Sequence, residues 1–164
     1  SAGETQAMQK EGRNVGCDTG CLRGMVGVLL EDERKKGFHP DATVAGDDVV
    51  QGAGPKPHMV YKNLDLMDIT TIQSVVKVDD TVSGVGEGLN AGCWTVGVSR
   101  YSNYMNIDSL EEADSLPDEE IKRRNEQTRE LLRRAGAHYV IDSIVELPEV
   151  IEDINARLAR GECP

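Results

Sequence analysis

The run from Lys77 to Val98, KVDDTVSGVGEGLNAGCWTVGV, constrains the fold of this chain more than any other stretch. An apolar segment ends in two adjacent aspartates, a short glycine-containing helical segment follows, and a second apolar segment begins at once. The pattern predicts a strand over 74–78, a helix over 82–91 and a strand over 94–98. Two strands joined through one helix run parallel. In open α/β sheets ligands bind just outside the carboxyl ends of the strands. Asp79 and Asp80 therefore fall where oxygen ligands can hold a hard cation. A solvated turn, with acidic residues placed favourably at a helix N-terminus, accounts for the same pair without any metal.

The same alternation extends through the chain. Residues 14–17 read as a short strand, and Leu22, Met25, Val26, Leu29 and Leu30 recur at helical spacing after it. Lys35, Lys36 and Gly37 close that helix. A brief strand over 42–44 leads into a Gly- and Asp-rich loop over 45–56, and Pro57 opens a helix carrying Met59, Val60, Leu64 and Met67. A long charged helix opens at Ser115–Asp118 and ends near Gly136, its Glu- and Arg-rich surface read as a solvated face. A strand over 138–141 and a helix over 147–158, apolar at Val150, Ile151, Ile154 and Leu158, complete the series. Such alternation predicts an α/β fold, a Rossmann-like three-layer sandwich around a parallel sheet. Residues 1–12, polar and non-periodic, read as a flexible tail or a short helix, and 13–164 as one domain.

A formal charge of −11 argues against nucleic acid or an anionic membrane as partner. No apolar run approaches the roughly 20 residues that span a bilayer, and residues 1–13 lack the apolar core of a secretory signal. These features predict a soluble protein and leave its compartment open. Cys17, Cys21, Cys93 and Cys163 show no paired metal-ligand spacing and read as reduced structural thiols. A redox sensor built on Cys17 and Cys21 is a weaker alternative, since it needs an unusually stabilised thiolate. His39, His58 and His138 show no ligand spacing and read as surface or packing residues.

The segment from Lys77 to Val98 closely resembles the metal-binding loop of the phosphonoacetaldehyde hydrolase family, within the haloacid-dehalogenase superfamily. Further matches follow in order: Asn14–Leu22, the GFHPD of 37–41, the DDVVQGAG of 47–54, the MVYKN of 59–63 and the GAHYVIDS of 136–143. The resemblance runs from about Arg13 to Arg160. It implies magnesium-dependent cleavage of a carbon–phosphorus bond to acetaldehyde and phosphate. An aspartate nucleophile and a cap-domain lysine that forms a Schiff base with the aldehyde would carry the chemistry. By the same resemblance Asp80 matches a metal ligand, and Thr19 and Lys56 fall in the phosphate-binding segments.

Two positions of the loop depart from the family pattern: Asp79 stands for a glycine, and Gly84 for the second metal-binding aspartate. Cys17 or Asp18 stands where the family has Ser or Thr, and no basic residue follows Ala53-Gly54 directly. No motif matching the nucleophile strand or the cap precedes Asn14, so no catalytic residue is assigned. By resemblance the nucleophile strand lies at the centre of the sheet, so a gap there would leave strand edges unpaired, at about 1–3 kcal/mol for each buried orphan group. The sheet must then close up, residues 1–12 insert, or a partner protein supply the strand. Two functions follow: a hydrolase module active only with what it lacks, and a non-catalytic subunit that keeps the fold as a structural or interaction part of a larger assembly.

Overall fold

A computed structural model of the chain describes residues 2–20, 25, 31 and 33–164. It divides into two compact units, residues 1–72 and 73–164, a boundary that falls inside the single domain expected over 13–164. The expected helix on Leu22, Val26, Leu29 and Leu30 lies outside the described residues, as does Cys21, while Met25 is exposed.

In the first unit, residues 2–10 form helix α1 (Ala2–Lys10). None of its residues is buried, and side chains tether it: Gln6 Nε2 donates to the Gly37 carbonyl and Gln9 Nε2 to that of His39, the latter at 2.7 Å. Strands β1 (Gly16–Thr19) and β2 (Ala42–Ala45) pair in parallel, Gly16 opposite Ala42 and Thr19 opposite Ala45. The β1 strand starts two residues later than expected, because Val15 is occupied by Asp41, whose carboxylate accepts from Val15 N and whose N–H donates to Val15 O, both at 2.7 Å. Helix α2 (His58–Leu66) buries Met59 and Val60, and its Asn63 Nδ2 donates to the Cys17 carbonyl at 3.2 Å. Val44 and Ala45 of β2 are fully buried.

The second unit holds a parallel sheet in the order β3 (Val76–Asp79), β4 (Trp94–Val98), β5 (Tyr139–Ile141). Helix α3 (Val82–Ala91) makes the crossover from β3 to β4. It approaches closely at Gly88, where an added Cβ would lie 2.5 Å from Thr95 Oγ1 and 2.9 Å from the Lys77 stem, so only glycine lets the helix seat. A short helix not expected from the pattern, α4 (Leu110–Ser115), precedes α5 (Asp118–Arg134). Arg133 and Arg134 pair with Glu126 and Glu130 along the exposed face of α5, while Thr128 and Leu132 are buried. Helix α6 (Leu147–Ala159) buries Leu147, Val150, Ile151 and Ile154.

Trp94 centres this core: it is fully buried, with His138 edge-on at 5.3 Å and the Arg157 guanidinium 4.5 Å over its ring. Cys93 and Cys163 are free thiols, and burial raises the pKa of Cys93, which makes it a packing residue rather than a nucleophile. Among the described residues no helix is long and apolar enough to cross a membrane.

Candidate functional site

The carboxyl end of β3 gathers one cluster of the second unit's polar side chains. Lys77 and Glu87 are each a lone charge in an apolar stretch, one on β3 and one on α3, and both are buried. Their Nζ and Oε1 lie 3.2 Å apart, and the same Nζ lies 3.2 Å from Asp79 Oδ2. The other oxygen of Asp79 accepts from Thr81 N at 2.9 Å and Thr81 Oγ1 at 2.8 Å. Thr81 is in turn the N-cap of α3, its hydroxyl accepting from Gly84 N at 2.9 Å. A second strap comes from the loop after β4. There Ser102 Oγ donates to the Asp80 carbonyl at 2.7 Å, and the Tyr104 hydroxyl accepts from Val82 N at 3.0 Å.

Asp80 is half-buried at this loop. Burial, and then the neighbouring Asp79 carboxylate, raise its pKa above the ordinary value, so a cation beside it would favour its charged form. Magnesium, however, requires near-octahedral oxygen ligands, commonly from more than one carboxylate or from waters and substrate. Gly84 contributes no side chain, and both oxygens of Asp79 are engaged by Thr81 and Lys77. Among the described residues no group of three or more His, Cys, Asp or Glu side chains is placed to share an ion. The loop does not fit a magnesium ion held between two carboxylates.

Thr19 and Lys56 belong to the first unit, and Asp80 to the second. Thr19 ends β1 opposite Ala45 and is half-buried. Beyond it the backbone of Gly20 presses on Gly46, where an added Cβ would lie 2.7 Å from the Gly20 oxygen. The following loop contains a cis Gly54–Pro55 bond. Lys56 is exposed, and its Nζ donates to Gln51 Oε1 at 3.4 Å. Lys77, Glu87, Ser102 and Tyr104 were not singled out by the sequence pattern. The first two carry a usable signal, since a charge inside an apolar run is rarely buried without a partner. The last two sit in a loop whose placement over Asp80 depends on tertiary packing.

Comparison with known proteins bears on the family and the fold. The chain is 40% identical over 158 residues to the phosphonoacetaldehyde hydrolase of Salmonella agona, covering 96% of this chain and 58% of that protein. It is 39% identical over 153 residues to the phosphonoacetaldehyde hydrolase of Syntrophobacter fumaroxidans, covering 93% of this chain and 54% of that one. A crystal structure of a phosphonoacetaldehyde hydrolase-like protein from Oleispira antarctica matches with a TM-score of 0.94 at 39% identity, over 99% of this chain and 58% of the other. A structure from Thermotoga maritima, at 19% identity and a TM-score of 0.58, shares the fold alone. No protein-family profile matches. The chain thus spans somewhat more than half the length of the curated relatives it matches. By sequence and by its α/β fold, the chain is similar to the phosphonoacetaldehyde hydrolases of the haloacid-dehalogenase superfamily over somewhat more than half of their length.

Proposed function

We propose that this chain is a phosphonoacetaldehyde hydrolase-type module that does not by itself cleave the carbon–phosphorus bond. The observation that supports this reading is the state of the loop after β3. The Asp79 carboxylate is closed onto Thr81 and Lys77, beside a residue 84 that has no side chain. Of the loop's two carboxylates, Asp80 is the one we assign to meet magnesium, the ion that the resemblance implies, and alone it makes a poor holder for that ion. Thr19 and Lys56 are the residues we assign to phosphonate oxygens, a hydroxyl and an ammonium that suit an anion. No catalytic residue is assigned to this chain; the nucleophile and the Schiff-base lysine must come from elsewhere.

A second reading makes the chain a non-catalytic subunit of a larger assembly. The sheet order favours it, because β3 stands at one end of the three-strand order. A strand added alongside β3 by a protein partner would complete the sheet. Phosphate release followed by phosphorus NMR, with acetaldehyde trapped by a coupled dehydrogenase, tests the main proposal. We expect no turnover of phosphonoacetaldehyde above background, with or without magnesium. Turnover that disappears in Asp80→Ala would overturn it. For the partner, slowed amide exchange along β3 in a mixture with the added chain is the expected sign.

A further inference from the structure

We infer that Asp79 and Gly84 are a mutually exclusive pair: the Asp79 carboxylate occupies the volume of a residue-84 side chain, with Lys77 as the loop's built-in cation. A Cβ added at Gly84 would lie 1.9 Å from Asp79 Cγ and 2.0 and 2.2 Å from its oxygens. Real Cβ atoms never approach that closely, so any other residue at 84 must expel the carboxylate. The Asp79 side chain is short, yet turning it away has consequences. Thr81 N and Oγ1 would lose their shared acceptor, and Lys77 Nζ would lose the oxygen at 3.2 Å. Lys77 is only 9% exposed, and a buried ammonium deprived of one of its carboxylates is strongly disfavoured.

The arrangement is internally consistent. Thr81 Oγ1 donates to Asp79 and accepts from Gly84 N, so one hydroxyl links the carboxylate to the very residue whose side chain it excludes. The Asp79 carboxylate is therefore spent within the protein rather than offered to an external cation. This rests on the proposed reading of the loop only in its metal arm; the exclusion stands on geometry alone. Moving the carboxylate from 79 to 84 should release Lys77 to Glu87 and place an oxygen donor on the first turn of α3.

Two measurements test the pair, neither of which depends on phosphonate turnover. In thermal melts, Gly84→Ala should lower the Tm of the wild-type chain by about 4 °C or more, and by less than half as much when Asp79→Ala is already present. Gly84→Ala failing to fold alone but folding with Asp79→Ala gives the same answer. Equal losses in both backgrounds, or failure of Gly84→Ala to fold in either one (with Asp79→Ser standing in if Asp79→Ala itself does not fold), would overturn the exclusion. In manganese titrations followed by EPR of the free ion, Asp79→Gly/Gly84→Asp should bind at least about tenfold more tightly than the wild type. Equal affinity in the two proteins, strong or weak, would overturn the claim that Asp79 closes the loop to metal.

Discussion

Strands β1 and β4 are both short, parallel and followed by glycine or serine, yet they live in different surroundings. All four residues of β1 are exposed or half-buried, and its ladder partner is β2. In β4, Trp94, Thr95, Val96 and Gly97 are all buried, with β3 on one side and β5 on the other. A central strand loses water from both faces and pairs both backbone edges, so each of its residues contributes more. The difference extends to the candidate residues. Thr19 sits at the end of the half-buried β1 and Lys56 in an exposed loop, while Asp80 sits where β3, α3 and the loop after β4 are all cross-linked. Precision in a site comes from such rigid support. The second unit is therefore where the cross-linked loop geometry around Asp80 is built, and where substitutions matter most.

The largest expected effect tests that difference in packing. Trp94→Ala removes a fully buried indole, at a cost of about 3–5 kcal/mol, or a Tm loss on the order of 10 °C. Met59→Ala, at a buried position of α2 in the first unit, should cost about 2 kcal/mol, the low end for its class. Val50→Ala, at a fully exposed side chain, should fall within about 0.5 kcal/mol of neutral. Chemical denaturation of the three variants orders them. If Met59→Ala matches or exceeds Trp94→Ala, the contrast between the units is wrong.

How much of this was legible depended on the range of the interaction. Helix α3 and strand β4 lie at the residues that the pattern put them, because Thr81 caps the one and apolar residues fill the other. Both β1 and β3 are shifted toward their carboxyl ends, because pairing, not apolar content, chooses where a ladder begins. In β3 this carries Asp79 into register with Gly97. Helix α4 went unread although its local signal is present: Ser109 Oγ accepts from Glu112 N, and the Glu112 carboxylate from Asp108 N. The family fold was readable because its motifs are local and ordered along the chain. Asp79 and Gly84 were each visible as departures, but their mutual exclusion was not. It depends on a turn at Thr81 that folds the carboxylate back over α3, and no spacing rule reports the resulting distance.

A smaller effect should appear in backbone dynamics. Amides of β4 carry hydrogen bonds in a buried sheet, so they open only with large-scale unfolding of the second unit. Amides of β1 lie in a two-strand ladder whose residues are partly wet. Native-state hydrogen exchange should find Val96 and Val98 protected at least about tenfold beyond Cys17 and Thr19, a gap of about 1.4 kcal/mol. Equal protection would mean that the first unit opens only when the whole chain does.

The smallest effect concerns the histidines, and it too separates the units. His39 and His58, in the first, are exposed. His138, in the second, accepts from Thr95 N through Nδ1 at 3.0 Å and lies against Trp94. Burial, then the Arg157 charge, lowers its pKa below the ordinary imidazole value. The unfolded chain takes up this proton near pH 6.5 while the folded chain resists it, so the folded state binds fewer protons in that range. The stabilisation is therefore complete above about pH 6.5 and declines as the pH falls through the folded value. Protonating Nδ1 would set a donor against the Thr95 donor, which gives the same direction by geometry. The wild-type Tm should fall between neutral and mildly acidic pH, and His138→Gln should flatten that part of the profile at some loss of packing. A profile unchanged by His138→Gln would mean that this imidazole does not carry the slope.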